Sequence, residues 1–183
     1  IDADNQSQIF VFNPGANLTL INLTIENGFT GGSGGAILNT SGSGTINIIG
    51  STFQNNTAEG DGGAIRTNGE INILGSNFVG NEAIQDGSST ANGGAIIMSG
   101  AHENQISGTL FNGNIAGTSG GAIWTSTGEK MTITDSIFSG NIAQDDNIDA
   151  LRGGGAIYYS STGSGSEELI EIKRSIFNGN LAP

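Results

Sequence analysis

The chain has 183 residues and a formal net charge of −12, with 17 acidic residues against 5 basic ones. Such a surface repels phosphate backbones and anionic membranes, which disfavours nucleic acid as a partner and direct membrane insertion; without cysteine there are no disulfides, thiolate metal sites or thiol nucleophiles. The 32 Gly come with 2 Pro and no Gly-X-Y period, which excludes collagen, while 25 Ile against 9 Leu favour pleated strands over helices.

In chain order, the first apolar segment is Ile9-Phe10-Val11-Phe12. Leu18, Leu20 and Ile25 follow as a degenerate first copy of a repeat that then becomes plain. Gly34-Gly35-Ala36-Ile37 recurs at Gly62, Gly93, Gly120 and Gly154. Each copy is followed by F-x-x-N-x-A, at Phe53/Asn56/Ala58, Phe78/Asn81/Ala83, Phe111/Asn114/Ala116, Phe138/Asn141/Ala143 and Phe177/Asn180/Ala182. Two residues before each Phe stands Ser51, Ser76, Thr109, Ser136 or Ser175, and five before it Ile48, Ile73, Ile106, Ile133 or Ile172. The strict alternation of two motifs marks a repeat architecture.

A strand of three to five residues cannot bury one apolar face alone. Stacked coils solve this, each strand pairing in parallel with its equivalent about 4.8 Å away. The period predicts a parallel β-helix of about six coils, with three faces plus loops per turn. The Gly-Gly pair is expected at a corner with φ > 0 or no room for a Cβ. The Ile of G-G-A-I and the Phe are expected to face inward in files, and the Asn column to form an internal amide ladder.

G-G-A-I alternating with F-x-x-N resembles the repeat pair of the chlamydial polymorphic outer-membrane proteins. The opening Ile9–Phe12, Gly15–Leu20 and Leu23–Gly28 segments resemble the first coils of adhesin-like right-handed β-helix proteins. The resemblance implies an all-β, right-handed solenoid that is displayed at a cell surface or secreted, as an autotransporter passenger is, and that in some members attaches to host cells. With Ile1 opening the chain and no basic-then-apolar leader, residues 1–183 are expected to form a single β-helix domain within a longer surface protein.

Function is sought where the repeat is irregular. The segments Ile84–Asn92 and Gln144–Gly153 leave the coil at the same corner, on an edge that gathers Glu59, Asp61, Glu82, Asp86, Asp145, Asp146 and Asp149. Asp145, Asn147 and Asp149 have the spacing of a Ca²⁺ loop, but Leu151 and Arg152 follow where Gly and a distal Glu belong; a solvated acidic loop is the alternative. The residue after each G-G-A-I is Leu38, Arg66, Ile97, Trp124 or Tyr158. Alternation turns this file outward, where Trp124 and Tyr158 are candidates for binding sugar or protein, with Ile97 and Arg66 beside them. The excursions Asn39–Thr45, Ala101–Gln105 and Ser160–Glu168 are the segments that could cover it.

Catalysis has little support. Polyuronate cleavage needs a cation and a basic residue on a groove, and only Arg66 of the five basic residues falls on a predicted strand face beside the aromatics. Glu70 and Glu129 fall in predicted loops, and His102 is alone. The outward column Asn47, Asn72, Gln105, Thr132, Glu171 is not the Thr ladder that ice binding requires. The expected function is a non-catalytic, extracellular or cell-surface module: an adhesin-like or filament-forming stalk that meets a protein or glycan on another surface, with end-to-end self-association as a further expectation. A carbohydrate-binding or polysaccharide-cleaving β-helix is the alternative.

Overall fold

The structure is a computed structural model that describes residues 1–12, 15–85, 90–100, 102–126, 130–144, 153–160 and 169–183. The described chain is a right-handed parallel β-helix of six coils, and every strand pairs with its equivalents in the neighbouring coils. The first sheet stacks Phe10–Val11, Ile37–Asn39, Ile65–Thr67, Ile96–Met98, Ile123–Ser126 and Ile157–Ser160. The second stacks Leu18–Ile21, Thr45–Ile49, Glu70–Leu74, Glu103–Ser107, Lys130–Thr134 and Leu169–Lys173. The third stacks Thr24–Glu26, Thr52–Gln54, Asn77–Val79, Leu110–Asn112, Ile137–Ser139 and Ile176–Asn178.

A coil has four sheets where three faces are expected. The fourth stacks Phe29–Thr30, Thr57–Ala58, Glu82–Ala83, Ile115–Ala116 and Ile142–Ala143. Two-residue strands are too short to show alternation in a sequence, although the Ala of F-x-x-N-x-A marks their inward position. Glu70 and Glu103–Gln105, expected in a loop and an excursion, belong to strands of the second sheet, because Glu70 pairs with Thr45 in the coil below and Glu103 with Lys130 in the coil above.

Like residues stack on like. The rings of Phe53, Phe78, Phe111, Phe138 and Phe177 form one file, with centroids 4.7–5.0 Å apart and planes within 11°. Ile25 occupies the same register below Phe53. Ile37, Ile65, Ile96, Ile123 and Ile157 form a second file. Ile46 and Ile71, and Ile48, Ile73, Ile106 and Ile133, line the opposite wall. Burial of each large apolar side chain contributes about 1.5–3 kcal/mol, so a rod with no globular centre still has a continuous core.

Two polar files share that interior. The Nδ2 of Asn56 donates to Oδ1 of Asn81 (2.9 Å), Asn81 to Asn114 (3.0 Å), Asn114 to Asn141 (2.8 Å) and Asn141 to Asn180 (2.8 Å). The same Oδ1 atoms accept the backbone N–H of the Asn one coil below, and the Nδ2 atoms also donate to backbone carbonyls such as that of Phe53. Buried amides persist because they are satisfied in this way. In the Ser/Thr file, hydroxyls accept backbone N–H groups of the coil below, as Ser76 does from Ser51 (3.1 Å) and Ser136 from Thr109 (3.2 Å). Those hydroxyls donate to the carbonyl two residues earlier.

Both reasons for the Gly-Gly pair are realised, one at each position. Gly62, the first of its pair, has φ +70°. At Gly94, the second, a Cβ would strike the carbonyl of Gly121 in the next coil. Two further corners use left-handed backbone. One is the file Asn55, Gly80, Gly113, Gly140, Gly179, immediately before the ladder Asn; the other is Gly50, Gly75, Gly108, Asp135, Arg174, between the second and third sheets. At the lower end the N-terminal amino group, Ala3 and Asn5 bond to Thr24, Glu26 and Asn27 along the third sheet.

Candidate functional site

On the outer face of the first sheet, Val11, Leu38, Arg66, Ile97, Trp124 and Tyr158 are in register, so the sheet brings all four candidate binding residues into one file. The file is less open than alternation implies. Ile97 is 3% exposed, and Leu38, Arg66, Trp124 and Tyr158 are half-buried. A Cβ on Gly62 would come within 3.0 Å of Ile97 Cγ2, which places this side chain against the Gly-Gly corner. The aromatics, rather than Ile97, are therefore the surface a partner can reach.

The corner beside the file is organised by Asp61. Its Oδ2 accepts from Arg66 Nη1 (2.8 Å), and its Oδ1 accepts from the backbone N–H (3.0 Å) and Nδ2 (3.1 Å) of Asn92. Thr118 Oγ1 donates to Asn92 Oδ1 (2.8 Å), so both ends of the Asn92 amide are held. Charge-assisted bonds of this kind fix side chains in place. Trp124 and Tyr158 line an open groove of about 180 Å³ with Thr90, Asn92, Ser119 and Ser160. Two flat rings beside hydroxyls and a fixed amide suit the mixed apolar and polar faces of a sugar or a polar peptide.

The acidic edge is only partly present. Asp61 turns into the network just described, Glu59 is exposed and Glu82 half-buried. Asp86, Asp145, Asp146, Asn147 and Asp149, including the whole proposed Ca²⁺ set, lie outside the described residues. Among the described residues no three His, Cys, Asp or Glu side chains cluster as a metal site.

The described basic side chains are each paired with a carboxylate: Arg66 with Asp61, Lys130 with Glu103 (3.1 Å), Lys173 with Glu171 (2.8 Å) and Arg174 with Asp135. The Arg174–Asp135 pair is bidentate, at 2.6 and 2.8 Å, and these bonds hold the Asp135 carboxyl below the usual carboxylate range. His102 bonds through Nε2 to the carbonyl of Asn68 (2.9 Å). None of these residues faces another as an acid–base pair across a groove.

A larger groove, of about 460 Å³, runs over the second sheet. Its walls are Thr19, Asn47, Asn72 and Gln105 on one side and Ile49, Leu74 and Ser107 on the other, with Ile73 at its base. Sequence reasoning weighed the amide column only as a failed ice-binding ladder. The available signal was that Ile21, Ile49 and Leu74 break the alternation with apolar residues at consecutive outward positions.

With this geometry in place, three stretches of the chain can be compared with known repeats. Residues 50–68, 108–126 and 135–160 match the Chlamydia polymorphic membrane protein (Chlamydia_PMP) repeat. Each stretch runs from the left-handed corner after the second sheet, through an F-x-x-N-x-A segment, to the G-G-A-I strand of the following coil. The matched stretches hold Phe53, Phe111 and Phe138, the ladder residues Asn56, Asn114 and Asn141, and the Gly-Gly pairs at Gly62, Gly120 and Gly154, and the last two include Trp124 and Tyr158. No curated protein and no solved structure matches the chain. Among the described residues no helix is long and apolar enough to cross a membrane.

Proposed function

We propose that the chain is a rigid, non-catalytic adhesive segment of a surface-displayed protein, and that it meets a protein or glycan on another surface through the Trp124–Tyr158 groove. One observation carries this reading: along the outer file of the first sheet, two aromatic rings sit beside a hydrogen-bonded Asp61–Asn92 network. The repeats of a chlamydial membrane-protein family support surface display. The pairing of every described cation with a carboxylate supports a binding role over catalysis.

Beads coated with the chain test the proposal on cultured cell monolayers. The unmodified chain is expected to retain beads, and the Trp124→Ala/Tyr158→Ala double variant to lose at least four-fifths of that retention. Equal retention by the double variant, or none by the parent, would contradict it. No release of reducing ends is expected from a panel of polysaccharides.

A further inference from the structure

The groove over the second sheet lies on a different face from the aromatic file and supports a separate assignment. We propose that it binds a linear, uncharged polysaccharide lying along the rod axis. Its polar wall is the outward column Thr19, Asn47, Asn72 and Gln105, one hydrogen-bonding side chain per coil. Coils stack about 4.8 Å apart, and an extended chain of β-1,4-linked sugars advances by nearly the same step per residue. The column therefore offers one amide or hydroxyl to each successive sugar.

The amides have bonding capacity to spare. Asn72 Nδ2 donates to Glu70 Oε1 (2.7 Å), which orients that amide, and only weakly to Asn47 Oδ1 (3.4 Å). Among the described residues the Gln105 amide and the Asn47 Nδ2 make no hydrogen bond. The facing wall is apolar through its lower coils, where Leu74 is 54% exposed, Ile49 37%, and Ile21, in register below them, 53%, and gives way to Ser107 at the level of Gln105. Three apolar side chains in register form a strip against which the C–H faces of pyranose rings pack, and contiguous exposed apolar surface of this kind marks interaction sites.

Charge selects among polysaccharides. No residue lining the groove carries a formal charge, the neighbouring outward column holds Glu70 and a Glu103 that is paired with Lys130, and the chain as a whole is at −12. Polyuronates and sulfated glycans are repelled, whereas neutral chains incur no such penalty. Multiple weak contacts along the axis make affinity rise with ligand length.

Titration calorimetry with β-1,4-linked glucose and N-acetylglucosamine oligomers tests this assignment. At least one hexamer is expected to bind the parent chain, at least fivefold more tightly than its trimer. The Asn72→Ala/Gln105→Ala double variant is expected to lose at least tenfold in affinity, and a galacturonate hexamer not to bind. Both substituted side chains face outward, so an unchanged far-UV spectrum is expected, and the single Gln105→Ala variant serves as a second reading with a smaller loss. The Trp124→Ala/Tyr158→Ala variant is expected to bind the hexamer normally, which separates this site from the adhesive groove. Failure of both hexamers to bind, equal affinity in the Asn72→Ala/Gln105→Ala variant, or equal binding of the galacturonate hexamer would overturn the assignment.

Discussion

Phe53, Phe78, Phe111, Phe138 and Phe177 run up the inside of the rod, while Leu38, Arg66, Ile97, Trp124 and Tyr158 run up the outside, in equivalent registers of stacked strands. The inner file is uniform because each ring stacks on the next at 4.7–5.0 Å, the three middle rings on both faces. A different side chain at one level would disturb two neighbours. The outer file has no such partner condition, so it varies from aliphatic to cationic to aromatic along one line. Packing is thus written in what repeats, and the chemistry of the surface in what does not.

Substitution can break that contrast. Phe111→Ala removes a fully buried ring from the middle of the file and is expected to destabilise the chain by about 3–5 kcal/mol, whereas Trp124→Ala on the outer file is expected to cost about 1 kcal/mol or less. Urea unfolding followed by circular dichroism measures both, and equal costs would refute the division. Asn114→Ala comes next in size. It leaves the backbone N–H and Nδ2 of Asn81 without their acceptor, for an expected cost of about 1–3 kcal/mol in the same assay.

The smallest effect is electrostatic and confined to the surface. Arg174 holds the Asp135 carboxyl below its ordinary range in the folded chain. A depressed folded value means that the pair's contribution is present above the unfolded value, near pH 4, and is lost as pH falls through the folded value. The ¹⁵N shift of Arg174 Nε is therefore expected to titrate below about pH 4, and the transition to disappear in Asp135→Asn. A flat shift in the parent chain would remove the interaction from the account.

The interior was readable in the sequence because its rule is identity at a fixed offset. Phe, Asn and Ser/Thr recur at constant spacing, and the structure places each set in one file. The left-handed corner between the second and third sheets was missed because the glycines at 50, 75 and 108 give way to Asp135 and Arg174, which hold the same backbone angle with unrelated side chains. The fourth sheet escaped notice because strands such as Thr57–Ala58 are too short for a period. Trp124 and Tyr158 were found as a break in a repeating column. Their half-buried state was not, because alternation states which way a side chain points and says nothing of the Asp61–Asn92 corner beside it. The second-sheet groove was missed for a related reason: Asn47, Asn72 and Gln105 gain meaning only next to Ile49 and Leu74, two residues further along each strand.

The central claim is that equivalent side chains of successive coils lie directly over one another, and ring-to-ring nuclear Overhauser contacts in a selectively phenylalanine-labelled chain test it most directly. The account predicts contacts from Phe53 to Phe78, Phe78 to Phe111, Phe111 to Phe138 and Phe138 to Phe177, with none that skip a coil. Contacts between non-adjacent members, or rings with no aromatic neighbour, would contradict it.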